Sequence, residues 1–192
     1  MSDFSPVMDA AAAMVDFRRP WCVAGGWAID LWLGRVTRNH GDVDLAVLRD
    51  HQFDLRQHLP EFSFKIASTQ HKLVPWKDAR QMLMLPVHEL HVSDKTTGRA
   101  FEVLLNESDG IDWIFRRNFD IRLNLAGWIW HGAGNIPILN PLIVLLYKSK
   151  QPGPKDQLDF HVAIERLSEQ QKSWLQIALL RTNADHPWLD LL

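Results

Sequence analysis

The stretch GGWAIDLWLGRVTRNHGDVDLAV, which runs from Gly25 to Val47, decides how the rest of the chain is interpreted. It opens with two adjacent glycines before a helix-like segment, and it closes with Asp42 and Asp44 at the head of an apolar run. A short apolar run at residues 21–24 precedes it. This order predicts a strand, a glycine turn, a helix and, after a polar loop, a second strand.

The two aspartates are candidate metal ligands. A strand is predicted at residues 43–48. If its extended conformation begins at Asp42, then Asp42 and Asp44 project from the same face, about 6.6 Å apart. Two carboxylates held so close repel one another unless a cation lies between them, and Mg²⁺ prefers a few carboxylates together with substrate phosphates. An Asp-x-Asp pair is more often a solvated loop edge, so the pair alone does not establish a site.

The glycine pair supplies a second feature. Gly25 and Gly26 leave bare backbone at the start of the helix predicted for residues 27–33, and a helix amino terminus binds phosphate well. A glycine pair is more often only a turn. Phosphate and metal in one place suit phosphoryl or nucleotidyl transfer, in which catalysis rests on positioning and on neutralisation of charge.

Length and composition bound the class of protein. The chain has 192 residues, 46% of them hydrophobic and 23% charged, which fits one domain or a domain with a helical appendage. The formal net charge of −2 argues against a stable nucleic-acid partner, although the pairs at residues 18–19 and 116–117 could act locally. The single cysteine, Cys22, is expected to be buried and inert. Without a basic leader or a long apolar stretch, we expect a cytoplasmic protein and no membrane partner.

The remaining pattern predicts a mixed α/β (α+β) fold. A helix is expected from Ser5-Pro6 to about Phe17, and another is expected to be capped by Asp50 and to end near Pro60. Further strands are expected at residues 62–68, in part of 82–92, and at 101–105.

From residue 141 the pattern becomes helical, and helices are predicted at residues 142–148, 155–167 and 168–180. We therefore divide the chain into a catalytic body, residues 1–138, and a helical carboxy-terminal region, residues 139–192. The hinge is expected between residues 136 and 141.

Three runs together resemble a known family: GGWAID at residues 25–30, GRVTRNH at 34–40 and DVDL at 42–45. They are similar to the signature of the nucleotidyltransferase superfamily, in the aminoglycoside 2''-adenylyltransferase-like branch near the lincosamide nucleotidyltransferases. Weaker similarity at residues 104–107 and 155–159 extends over most of the chain. The resemblance implies a nucleotidyltransferase fold, with a mixed sheet flanked by helices, and Mg²⁺-dependent transfer of a nucleoside monophosphate. AMP from ATP is the expected donor, although another nucleoside triphosphate is possible, and a small-molecule hydroxyl is the expected acceptor.

The resemblance also implies site residues. Asp42 and Asp44 correspond to the aspartates that bind Mg²⁺, and Gly25 and Gly26 to the glycines that hold the triphosphate. A third acid on a neighbouring strand corresponds to Glu102. The family more often has aspartate there, and the extra methylene leaves open whether Glu102 is the base for the acceptor hydroxyl or a metal ligand only.

Other polar residues near these motifs have weaker assignments. Arg38 and His40 could contact phosphate or order the loop, and Lys148 is the candidate for reaching the triphosphate from the helical region. Asp30 is expected to be a scaffold residue that pairs with Arg35 or Arg38.

Four acids have alternative explanations. Glu107 and Asp109 compete with Glu102 but are expected to cap a following helix, and Asp156 and Asp159 fall in the expected first turn of a helix, where the dipole favours acids. The histidines His88 and His91 lack partners at metal-ligand spacing in the sequence and are expected at the surface or in packing.

The nature of the acceptor stays open. An aminoglycoside is polycationic and would require an acidic cleft. Acids that could supply one, or could equally be scattered surface charge, are Glu61, Asp78, Glu89, Asp94, Glu107, Asp109 and Asp112. The nine tryptophans would suit a flatter acceptor. The alternatives are a protein hydroxyl as acceptor, as in toxin-neutralising relatives, and a binding module without turnover.

Overall fold

The computed structural model of the chain describes residues 3–67, 72–78, 80–94 and 96–192. Its first half contains, in chain order, α1 (Ser5–Ala13), β1 (Trp21–Val23), α2 (Gly25–Leu33), β2 (Asp44–Leu48), α3 (Gln52–His58), β3 (Phe62–Ala67), β4 (Leu73–Pro75) and β5 (Glu89–Asp94). The second half contains β6 (Ala100–Ser108), β7 (Asp112–Ile114), β8 (Arg122–Asn124), β9 (Ile129–His131), β10 (Pro137–Leu139), α4 (Pro141–Lys148), α5 (Pro154–Ile164) and α6 (Glu169–Leu180).

The strands form one mixed sheet in the order β4-β3-β5-β6-β2-β1-β10-β9, and β7 continues from β6 to β8. Strand β2 is parallel to β6, and β1 is parallel to β10. Strand β5 pairs with β6 in the antiparallel direction. This arrangement confirms the predicted mixed sheet flanked by helices.

The centre of the sheet is covered on both faces, which explains its composition. In β2, the four residues after Asp44 are all buried, as expected for a continuous apolar run in a central strand. Strand β6 alternates instead: Phe101 and Val103 are buried, while Glu102 and Leu104 are only half-buried. Glu102 therefore lies on the less buried face of β6.

The helical region packs back onto the body. Helix α4 contacts α2, α5 and α6, and α2 also contacts α5. Helix α4 begins at a cap in which the Asn140 side chain accepts a hydrogen bond from the Leu142 N–H, and α6 is capped by Ser168 as predicted. The three predicted helices are confirmed with slightly different bounds. Residue 138 lies inside β10, and the proposed division there stays a prediction.

Several boundaries differ from the sequence analysis. Helix α1 ends at Ala13 rather than near Phe17, and its cap position is Phe4 without a side-chain hydrogen bond. Asp50 lies in a 3₁₀ turn and does not cap α3. Ser68, the expected end of a strand, lies outside the described residues.

Among the described helices, none is long and apolar enough to cross a membrane.

Candidate active site

The glycine pair begins α2, and side chains pack directly on its backbone. Gly25 has φ of +59°, and a Cβ there would lie 2.0 Å from Oδ2 of Asp44. A Cβ on Gly26 would lie 2.1 Å from Nη2 of Arg38 and 2.7 Å from Cε1 of His40. A Cβ at either position would displace these side chains, and the positive φ favours glycine at the first position. The glycine pair therefore lets Asp44, Arg38 and His40 lie against the start of α2.

Asp44 lies at the start of β2, half-buried, over the beginning of α2. Its partner in the parallel register with β6 is Glu102. Burial raises the pKa of Asp44 to about 7, and the negative charges of Asp42 and Glu102 add to this effect, while Lys148 opposes it. Within the described part of the chain, no cationic side chain forms an ion pair with Asp44. A carboxylate in this position is stabilised by an external cation.

Asp42 does not lie on the strand. Because β2 begins at Asp44, Asp42 belongs to the preceding bend and is exposed. The Trp27 indole Nε1 donates a hydrogen bond to the Asp42 carbonyl oxygen at 3.0 Å, which fixes this bend against α2. The prediction that the two aspartates share one strand face is therefore wrong in its geometry. Both residues nevertheless line one cleft.

Glu102 belongs to a cluster with two residues of β5. The His91 ring contacts Glu102 through Nδ1 at 3.3 Å and Glu89 through Nε2 at 2.9 Å. One ligand atom from each of the three residues lies within 4.8 Å of the others. Burial, followed by the charge of Glu89, raises the pKa of Glu102. The prediction that His91 lacks partners is wrong, because Glu89 precedes it by two residues on β5 and strand pairing adds Glu102 from β6.

The polar loop between α2 and β2 is anchored by Asp30. This fully buried carboxylate accepts hydrogen bonds from the Thr37 N–H at 3.0 Å and from the Thr37 hydroxyl, and contacts His40 Nε2 at 2.7 Å. The His40 ring stacks on Trp27 with a centroid distance of 4.2 Å. Asp30 is a scaffold residue as predicted, but its carboxylate contacts Thr37 and His40, and among the described contacts neither Arg35 nor Arg38 forms an ion pair with it.

Arg38 ties the loop to the helical region. Its Nε and Nη2 donate to the two carboxylate oxygens of Asp159 at 2.7 and 2.8 Å. Lys148 Nζ also contacts Asp159 at 3.0 Å and Asp156 at 2.7 Å. Burial alone would raise the pKa of Asp159, but the bonds from Arg38 and the charge of Lys148 lower it. Asp156 lies in the first turn of α5 as predicted, but Asp159 is the sixth residue, so the first-turn explanation is wrong for Asp159. A phosphate-binding role for Arg38 stays a prediction.

Two clefts meet at Asp44 and Lys148. The first, here called the strand cleft, has a volume of about 410 Å³, and its polar lining includes Gly25, Asp44, Glu89, Glu102, Arg116, Arg117 and Lys148. The second, here called the helix cleft, has a volume of about 480 Å³, and its polar lining includes Gly26, Arg38, His40, Asp42, Asp44, Lys148 and Lys155. All seven predicted site residues therefore line one cleft or the other.

The acids expected to receive a polycation do not gather around the site. Of that set, only Glu89 lines the strand cleft. Glu107 lies inside β6 and pairs with Arg49, and Asp109 pairs with Arg122 at 2.6 Å. The element that follows these two acids is strand β7, so the prediction that they cap a helix is wrong.

Comparison with known proteins is consistent with this geometry. Residues 6–122 match the family model described as aminoglycoside-2''-adenylyltransferase. A 2''-aminoglycoside nucleotidyltransferase from Escherichia coli is 54% identical over 35 residues, which is 18% of this chain and 20% of that protein, and one from Klebsiella pneumoniae matches equally. The matched segment thus spans about a fifth of the length of these curated relatives.

Solved structures share the fold. The crystal structure of ANT(2'')-Ia in complex with adenylyl-2''-tobramycin is similar with a TM-score of 0.60 and 16% identity, over 92% of this chain and 96% of that one. The lincomycin-bound lincosamide antibiotic adenylyltransferase LnuA is similar with a TM-score of 0.56 and 14% identity, over 83% and 95%. At these identities the likeness shows the fold. Since the family model covers more than half of the sequence, the chain belongs to the aminoglycoside-2''-adenylyltransferase family.

Proposed function

We propose that the protein transfers AMP from ATP, or the monophosphate of another nucleoside triphosphate, to a hydroxyl of a small molecule in a Mg²⁺-dependent reaction. One observation carries this proposal. The Asp44 carboxylate lacks a cationic partner in the described structure, lies against the backbone that begins α2, and stands where the two clefts meet. An acid held in this way suits a site that binds a metal and a phosphate together.

The donor set fits Mg²⁺. Asp42, Asp44 and Glu102 offer only carboxylate oxygens, the ligands that this hard cation prefers, and their charges already act on one another. When bound, Mg²⁺ supplies positive charge that neutralises the phosphates and the developing charge of the transfer. The contact between Asp44 and Gly25 would bring this charge to the amino terminus of α2.

The residues of the chain have separate tasks in this proposal. The backbone N–H groups at Gly25 and Gly26 bind phosphate oxygens, and Lys148, which lines both clefts, adds a positive charge. Glu102 accepts the proton of the acceptor hydroxyl. The hydroxyl oxygen then forms a bond to the α-phosphorus, the bond from that phosphorus to the bridging oxygen breaks, and pyrophosphate leaves.

The size of the strand cleft supports a small acceptor. About 410 Å³ lies within the range of small-molecule sites. A small-molecule acceptor therefore fits this cleft.

Calorimetric titration with each nucleoside triphosphate, with and without Mg²⁺, tests the proposal. We expect Mg²⁺-dependent binding of one triphosphate, with loss of binding in Asp44→Asn. Asp50→Asn is the matched control, because Asp50 is an exposed acid that follows the other end of the same strand. Pyrophosphate release in the presence of hydroxylated small molecules, including tobramycin and lincomycin, then tests the transfer. Binding that is unaffected by Mg²⁺ and by Asp44→Asn contradicts the proposal and favours a binding module.

A further inference from the structure

His91 lies between two carboxylates on the less buried face of strands β5 and β6. Glu89 and His91 are two residues apart on β5, so both project from the same face of that strand. In the antiparallel register, His91 lies directly opposite Glu102 of β6. Side chains that lie opposite one another on one face of a sheet are close enough to interact. Strand pairing therefore places the His91 ring beside the residue that the proposed function uses as the base.

Each ring nitrogen of His91 contacts a different glutamate. Nε2 lies 2.9 Å from Oε1 of Glu89, and Nδ1 lies 3.3 Å from Oε1 of Glu102. A metal ion shared by the three residues would need one ring nitrogen and both carboxylates on the same side of the ring. Because the two glutamates are at different nitrogens, the arrangement favours contact through the ring over a shared ion.

The His91 ring lies behind the strand cleft. Glu89 and Glu102 both line this cleft, whereas His91 is absent from the described residues that line it. A small molecule in the cleft would thus reach the Glu102 carboxylate and not the ring. Any effect of His91 on the reaction has to pass through the carboxylate that it contacts.

Without the ring, the position of the Glu102 carboxylate would be poorly defined. Its side chain is long and flexible, and the like charge of Glu89 on the neighbouring strand repels it. A base works only within hydrogen-bonding reach of the proton that it accepts, and a displacement of about 1 Å can lower a rate by about 100-fold. A ring that contacts both carboxylates fixes the distance between them.

We propose that His91 is a positioning residue, which is oriented by Glu89 and holds the Glu102 carboxylate at the acceptor hydroxyl. The inference rests on the proposed function and adds two residues to its site. Glu89 orients the ring from the same strand, as carboxylates orient histidines around many metal sites. Glu102 remains the group that accepts the proton.

Two amide substitutions of His91 test which contact matters. The amide nitrogen of asparagine can take the place of Nδ1, which contacts Glu102, and that of glutamine the place of Nε2, which contacts Glu89. Transfer is measured with the full chain, Mg²⁺, ATP and the hydroxylated acceptor that supports turnover. We expect His91→Ala to lower kcat by about 10- to 100-fold with an unchanged KM for ATP. His91→Asn should recover most of this loss, and His91→Gln much less.

A role in general packing would not produce this order. Equal losses in the two amide variants would overturn the inference, as would a loss that appears in the KM for ATP and not in kcat. The matched control is His131→Ala, which makes the same change at an exposed histidine of strand β9. Its kcat should equal that of the unaltered protein. Urea unfolding midpoints of all variants separate a damaged fold from a displaced base.

A second readout does not depend on turnover. In nuclear magnetic resonance spectra at one fixed pH, without metal or nucleotide, the side-chain carboxyl carbon signal of Glu102 should shift in His91→Ala. It should stay near its original position in His91→Asn. An unchanged signal in His91→Ala would overturn the inference, because the ring would then not contact Glu102. If the signal shifts but the unaltered protein modifies no acceptor, the proposed function fails and the positioning role with it, although the contact itself is confirmed.

Titration with Zn²⁺ alone tests the remaining alternative, a metal site formed by the same three residues. The ring nitrogen signals of His91 are followed up to one equivalent of the ion. We expect no coordination shift at either nitrogen. A large shift of one ring nitrogen would overturn the inference and assign Glu89, His91 and Glu102 as metal ligands.

Discussion

Asp44 and Asp159 are both affected by the charge of Lys148 but have opposite electrostatic surroundings. Asp159 is fully buried, yet hydrogen bonds from Arg38 and the charge of Lys148 lower its pKa. Asp44 is only partly buried, but burial and the neighbouring acids raise its pKa to about 7. Arg38 and Lys148 both form ion pairs with Asp159, which links the polar loop to α5. No cationic side chain in the described part of the chain forms an ion pair with Asp44. This difference is the one that the proposed function expects if Asp44 binds a cation from outside the protein.

The largest expected effect is the loss of nucleotidyl transfer when Asp44, which has no ion-pair partner among the described residues, is replaced. Asp44→Ala should lower nucleotidyl transfer by about 10³-fold or more, because it removes the central proposed metal ligand. Pyrophosphate release at saturating Mg²⁺ measures this, with Asp50→Ala as the control. If Asp44→Ala keeps transfer within a few-fold of the unaltered protein, Asp44 is not a metal ligand and does not differ in function from Asp159.

Replacement of Asp159, which pairs with Arg38, should lower the free energy of unfolding. Asp159→Asn leaves the largely buried Arg38 without its counter-ion, and loss of one partner of such a pair costs about 3 kcal/mol. The free energy of unfolding from urea denaturation measures the change, and Glu165→Gln near the end of the same helix should have little effect. An unchanged unfolding midpoint would mean that the Arg38–Asp159 contact contributes nothing to holding the loop against α5.

Removing the charge of Asp44 should stabilise the metal-free protein. A carboxyl whose pKa is raised above its ordinary value destabilises the native state as pH rises from about 4 to about 7, because the native state resists losing the proton. Asp44→Asn should therefore raise the free energy of unfolding at pH 8 without Mg²⁺ by on the order of 2 kcal/mol, allowing for partial exposure. The gain should vanish near pH 4. Destabilisation at pH 8 would show that the ionised carboxylate is already satisfied within the chain.

The smallest expected effect is a pH dependence of binding. Since a divalent ion needs the ionised carboxylate, the affinity of the Mg²⁺–nucleotide complex should rise by about tenfold between pH 6 and pH 8 and level off above pH 8. Calorimetry at several pH values measures this, and the control variant Asp50→Asn should show the same rise. An affinity that is flat from pH 6 to pH 8 would place the pKa of Asp44 near its ordinary value.

The parts of the site that the sequence predicts are those encoded locally. Gly25 and Gly26 precede a helix, Asp44 begins an apolar run, and Glu102 alternates with buried neighbours, so each leaves a signal within a few residues. Asp42 was misplaced because the hydrogen bond from Trp27 Nε1, fifteen residues away, ends the strand before it. No pattern within the polar loop anticipates that contact.

The unpredicted features depend on residues that are distant in the sequence. Arg38 and Asp159 are separated by 121 residues, and nothing near either one indicates the other. His91 reaches Glu102 only when β5 pairs with β6. Strands β7, β8 and β9 have three residues each, which is too short for an alternating pattern to be recognised. The fold class followed from the longer elements, whereas the ion-pair network required the tertiary structure.

The most direct test of this account is the titration of the Asp44 side-chain carboxyl carbon by nuclear magnetic resonance, with and without Mg²⁺. The account predicts a pKa of about 7 in the metal-free protein and a clear decrease when Mg²⁺ is added, because the cation stabilises the ionised form. Asp159 in the same sample should keep a low pKa under both conditions. An Asp44 pKa near the ordinary value for aspartate, unchanged by Mg²⁺, would contradict the claim that this carboxylate is held for a metal ion.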